Sequence, residues 1–153
     1  MKSKKVTVLF GTICLMICGL VQAQHAGVVK TLRGEAQIIR SGQAVKLELG
    51  DRIYIDDRLA TDANGSLGIL FRDDTRLGAG PDTRFSIDSY QFENASQAGH
   101  ARLSVDNGTL ALVGGKLVLG NPDAIKVYTP DAVLSVPCSH LSVKVDLPNK
   151  DAP

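Results

Sequence analysis

Tryptophan is absent from this 153-residue chain, and Phe and Tyr bring the aromatic share to only 5%. A core must therefore come from Val, Leu and Ile, with few large rings to anchor it. Cysteine is scarce too. Of three cysteines, Cys14 and Cys18 fall in an N-terminal apolar run, leaving Cys138 alone in the rest. A lone cysteine cannot pair within its own chain, so no disulfide framework is expected. The chain has only one long apolar run, Val6 to Leu20, of 15 residues, which is short of the ~20 a spanning helix needs. No window of eleven or more residues combines a 3.6-residue period with caps, so little or no helix is expected.

The N-terminus is the layout of an export signal. Lys2, Lys4 and Lys5 precede the apolar run, and Val21 and Ala23 stand at −3 and −1 of a cut before Gln24. Cleavage there defines a signal peptide over 1–23, an all-β domain over 24–146 and a polar tail over 147–153, with no membrane span remaining. The alternatives are an uncleaved anchor and a lipidated Cys18; Ile17 stands where a lipoprotein signal carries a small residue. Removing three lysines leaves 14 − 16 = −2, from 17 basic and 16 acidic residues. A mature chain so close to neutral gives no electrostatic case for nucleic acid.

What the mature chain has is alternation. "AQIIR", "RIYID", "SLGILF", "TRFSIDSYQF", "ARLSV", "GTLALV", "KLVLG", "IKVYT", "AVLSV" and "LSVKV" repeat apolar residues every second position, as half-buried strands do. Asn64-Gly65 and Asn107-Gly108 suit turns that need positive φ, and Gly50-Asp51, Gly80-Pro81-Asp82 and Asn121-Pro122-Asp123 read as turns as well. The expectation is one all-β domain of many short strands. Its candidate core is Val28, Ile38, Leu47, Leu49, Ile53, Leu59, Leu67, Ile69, Phe71, Phe85, Ile87, Leu110, Leu112, Val127, Val133, Leu141 and Val143.

Chemistry-bearing motifs are thin. The G-x-G in "LGAGPD" lacks a third glycine opening a helix, so it reads as a tight turn. "TDANGS" and "FRDDT" lack the closing Glu of a calcium loop and read as turns and solvated edges, with Arg72 and Asp73 as charges that discourage edge pairing. Cys138 and His140 are two apart beside Pro137. They are the candidates for a metal pair, for a thiol nucleophile with its base, for an intermolecular thiol, or for plain turn packing, which needs no further residues. No catalytic residue and no cofactor is assigned, and the enzyme reading is set aside.

The stretch "AGVVKTLRGEAQIIRSGQAVKLELGDRIYIDDRLATDANGSLGILFRDDTRLGAGPDTRFSID" resembles the FecR domain family of bacterial envelope proteins. A glycine-led strand at Gly34, Gly50-Asp51, the Asp57-to-Thr61 step and the run from Leu70 to Thr83 carry the resemblance, and "VYTPDAVLSV" looks like the downstream strand. Where relatives run into a Val-Arg-Gly-Thr turn, this chain has Val136 followed by Pro137, Cys138 and Ser139. The resemblance implies an irregular solenoid-like or sandwich-like all-β fold. It also implies a non-catalytic periplasmic or secreted binding or scaffolding module, whose partner is an envelope protein or a cell-wall glycan. The main alternative is an accessory of envelope signalling acting through a separate membrane regulator. A thiol- or metal-dependent enzyme stands last.

Overall fold

The computed structural model describes residues 25–136 and 140–146. The expected leader, the segment 137–139 with Cys138, and the tail 147–153 lie outside the described residues. The chain is all-β. In order come β1 (Gly27–Arg33), β2 (Ala36–Arg40), β3 (Gln43–Lys46), β4 (Arg52–Ile53), β5 (Arg58–Thr61), β6 (Ser66–Phe71), β7 (Arg76–Ala79), β8 (Arg84–Phe92) and β9 (Gly99–Val113). One short helix, α1 (Lys116–Gly120), precedes β10 (Ile125–Tyr128), β11 (Val133–Ser135) and β12 (His140–Val145).

These strands make a 12-stranded sheet curled into a half-barrel, antiparallel except where β10 runs parallel to β9. It has two layers. One follows the order β4-β1-β6-β7-β9-β12, the other β3-β2-β5-β8-β9-β10-β11. They share one long ribbon. β7 and β8 run successively along the same partner, with Ala79 opposite Leu110 and Phe85 opposite Val105. The ribbon bends from one layer into the other at Gly80–Thr83 and Asn107–Gly108. Asn107-Gly108, expected as a turn needing positive φ, has that φ at Gly108 but forms a bend within β9 rather than a turn between two strands. "ARLSV" and "GTLALV" are one strand, and the pair register slips between Arg84 and Phe85, the signature of a bulge. Gly108 is needed there because φ is +99° and an added Cβ would meet the Cα of Thr83 at 2.4 Å.

Alternate residues of each strand fill the space between the layers. Phe85, Leu59, Ile87, Leu103, Leu110, Leu112 and Val127 are each at most 2% exposed. Truncating a residue such as Phe85 to Ala costs roughly 3–5 kcal/mol in a core of this kind. The candidate core holds except at four places. Leu49 is 64% and Val133 58% exposed. Leu49 sits in the turn before β4, and Val133 opens the outermost strand β11, so neither has a facing layer to pack on. Leu141, on the outermost strand β12, is half-buried. Val28 is half-buried because β1 turns Gly27 and Val29 inward, one residue out of step with the expected face.

"KLVLG" is helix rather than strand. Leu117 and Val118 are buried while Leu119 is 84% exposed. Gly114-Gly115 lets the chain turn off β9 into contact with the β6–β7 turn: an added Cβ on Gly115 would meet Asp73 O at 2.2 Å. Asp73 takes up the first helical amides, with Lys116 N–H donating to its carbonyl at 2.7 Å and Leu117 N–H to its carboxylate at 3.4 Å. Local alternation in the sequence is overridden by a tertiary acid.

Candidate functional site

Three polar clusters lie inside or at the margin of the core, and each is tied to the scaffold. In the first, Asp57 is 1% exposed. It accepts from Arg40 Nε and Nη2, both at 2.7 Å, and from Tyr54 N–H at 2.6 Å. The guanidinium lies 4.7 Å from the Tyr54 ring centroid and also donates to Arg52 O at 3.0 Å. The hydrogen bonds that Arg40 donates to Asp57 outweigh burial, which acts the other way, and hold Arg40 above its ordinary value. Arg40 therefore stitches β2 to β4 beside the open seam of the half-barrel, whose terminal strands are β3 and β4.

The second cluster holds the ribbon's bend. Thr83 N–H donates to Thr61 Oγ1 at 2.9 Å, and the Thr61 hydroxyl donates to Gly80 O at 2.6 Å. Thr109 N–H donates to Thr83 Oγ1 at 3.0 Å, and Asn107 Nδ2 donates to Asp82 O. The third is built on Asp73, which is fully buried and so corrects the expectation of a solvated edge charge. It accepts from the Tyr90 hydroxyl at 3.0 Å and from the Thr75 hydroxyl. Burial first, and the neighbouring Asp73 carboxylate second, push the Tyr90 phenol well above its ordinary value.

The open chemistry is on the surface around the β2–β3 hairpin. A cup of about 460 Å³ is lined by Glu35, Gln37, Lys46, Asp62, Asp82 and Arg84 over a floor that includes Ala60. Lys46 donates to Glu35 at 2.7 Å across its rim, which raises the lysine and lowers the glutamate. A second cleft of about 400 Å³ lies along the seam, with Ile38, Val45 and Leu47 in its wall and Arg40, Asp51 and Arg52 at its mouth. β3 is the terminal strand of its layer, exposed at every residue, and its Val45 is 54% exposed. Strand edges of this kind accept an added strand.

Of the sequence candidates, His140 opens β12 opposite Val113 and is exposed; Cys138 lies outside the described residues. Among the described residues no group of three or more His, Cys, Asp or Glu is placed to hold a metal, and no helix is long and apolar enough to cross a membrane. Asn64-Gly65 does form a turn, without positive φ. Gly65 is required by close approach instead, since an added Cβ would lie 2.6 Å from Glu35 O. The Asp57–Arg40 pair and the Asp73–Tyr90 pair were missed because their partners lie 17 residues away in each case.

No family model matches the chain, and no curated protein matches it. A solved cell surface anchoring domain aligns with 40% of this chain and 82% of its own length, at 31% identity and a TM-score of 0.39.

Proposed function

We propose that this chain is a non-catalytic binding or scaffolding module of FecR type, exported to the periplasm or secreted, that works by contact with an envelope partner. One observation carries the reading. The buried Asp57, Asp73, Thr61 and Thr83 all bond within the scaffold, and apart from the buried Ser89 hydroxyl the unengaged polar groups among the described residues lie on outer strand faces and at the β3 edge. That is how a display surface is built: rigid inside, open outside. The FecR assignment draws support from where its patterned residues fall. Gly34 (φ +62°) abuts Asn64 O, Asp57 clamps Arg40, and Thr61 and Thr83 hold the bend. A pattern whose fixed residues each meet a structural need is what a fold-defining motif looks like.

Cell fractionation with N-terminal sequencing tests the reading together with a turnover assay. The expected result is protein in the envelope or medium, beginning at Gln24, with no substrate conversion. Protein with Met1 intact in the cytosol contradicts export. Turnover that disappears in Cys138→Ala or His140→Ala contradicts the non-catalytic reading, as does stoichiometric zinc lost in Cys138→Ser.

A further inference from the structure

Charge in this protein is sorted by structure. Eleven lysines and arginines lie on strands (Lys30, Arg33, Arg40, Lys46, Arg52, Arg58, Arg76, Arg84, Arg102, Lys126 and Lys144) against two strand acids, Asp88 and Asp106. The remaining described acids sit in the turns. The near-neutral total therefore conceals cationic faces with an acidic rim.

The sorting is strongest on the outer face of the β3-β2-β5-β8-β9-β10-β11 layer. Leu59, Phe85, Leu103 and Val127 point into the core, so Arg58, Arg84, Arg102 and Lys126 point out, one from each of four adjacent strands. All four are exposed, and none has an ion pair among the described residues. Arg102 and Lys126 are direct lateral partners in the ladder. Like charges so placed repel, and the fold gains nothing from them. Two acids share this face: Asp88 is engaged by the hydroxyls of Ser86, at 2.6 Å, and Ser104, and Asp106, exposed between the buried Val105 and Asn107, stands at the Arg84 end. Glu35, Asp62 and Asp82 stand at the Lys46–Arg84 end.

We propose that this face binds a linear anionic glycan, a sugar chain carrying carboxylate groups. Three features of the face select it. Adjacent strands lie about 4.8 Å apart, so Arg102 and Lys126 make a close cation pair, while Arg58 stands opposite Ser86 and Arg84 opposite Ala60, which spreads the other cations along the face as an extended track rather than a single cluster. Arginine forks match carboxylates in a bidentate geometry. Between the cations stand Gln37, Ser86, Ser104 and the half-buried Tyr128, groups suited to sugar hydroxyls and to a ring face. A charged membrane plane fits less well, because it would meet the acidic rim along with the face, and the face carries no tryptophan or cluster of large apolar groups to enter it. The inference rests on the binding-module reading, since it supplies that module's ligand class.

The test uses the purified mature protein with oligogalacturonate as probe and neutral dextran as control, by titration calorimetry at two salt concentrations. Oligogalacturonate is expected to bind, with affinity falling as salt rises, and dextran not to bind. Arg58→Glu with Arg102→Glu should lose about tenfold or more in affinity, a change worth about 1.4 kcal/mol. Lys30→Glu with Arg76→Glu, on strands of the other layer, should change it less than about twofold, with circular dichroism confirming both folds. Equal loss in both variants, or no binding, overturns the proposal. So does tighter binding of anionic phosphatidylglycerol vesicles or of duplex DNA to the same arginines. Such failures leave export and a protein partner untouched, whereas a cytosolic protein that still binds the glycan defeats the export reading alone.

Discussion

Removing Arg40 tests the seam directly. Arg40→Ala leaves the Asp57 carboxylate, 1% exposed, with the Tyr54 amide as its remaining bonded partner. Breaking a fully buried ion pair from one side costs about 3–5 kcal/mol. Here the arginine side chain is 45% exposed, so solvent already screens the pair. Discounting for that screening gives about 2 kcal/mol. Asp57→Ala should cost a similar amount by a different route, because it orphans the Tyr54 N–H while Arg40 can hydrate; one unsatisfied buried donor costs about 1–3 kcal/mol. The double variant should cost less than the sum. Arg40→Lys should not rescue, since an ammonium cannot reproduce the fork that meets both carboxylate oxygens. The assay is urea unfolding, reading the midpoint at constant slope, with hydrogen exchange at the Ile53 amide reporting the β1–β4 end. A cost below about 0.5 kcal/mol for Arg40→Ala, the level of an ordinary surface pair, would refute the clamp.

The remaining expectations are independent of that pair. Gly108→Ala should destabilise by about 2 kcal/mol or more in thermal or urea unfolding, because φ is +99° and Thr83 blocks the added methyl, whereas Gly78→Ala, with nothing within 4 Å of an added Cβ, should stay within about 0.5 kcal/mol. Thr83→Val should cost about 1–3 kcal/mol by leaving the Thr109 amide unpaired, and it should be non-additive with Thr61→Val, because Thr61 Oγ1 receives the Thr83 amide. Tyr90, raised above its unfolded value of 10.0, contributes stability that is fully present below about pH 10 and is lost as pH rises through the higher folded value. Tyr90→Phe should therefore remove a late phenolate component from an alkaline absorbance titration and leave the early part unchanged.

Much of the fold was legible in the sequence because burial on a pleated sheet repeats every two residues. Phe85 and Ile87, or Leu110 and Leu112, announce their face without help. Reading failed where a long-range partner decides the local state. "KLVLG" alternates like a strand, yet Asp73 draws its amides into a helical turn. Asn107-Gly108 has the composition of a hairpin, yet Thr83 holds it as a bend within β9. Asp73 itself reads as an edge charge until Tyr90 and Thr75 are seen around it. The candidate surface was hidden for another reason. Net charge sums over the chain and discards position, so cations on strands and acids in turns cancel on paper while remaining apart on the molecule. The alternation that marked "RFSID" as a strand also carried the signal, since Arg84 stands on its outward face.

The central claim, that this is an exported display module acting through its outer surface, is tested most directly by photo-cross-linking in living cells. A photoreactive residue is placed at Arg58 on the outward face, at Val45 on the free edge, and at the buried Leu103 as a control. The account predicts adducts with envelope glycan or envelope protein from the first two positions and none from Leu103. Adducts confined to cytosolic proteins, or the same yield from all three positions, would contradict it.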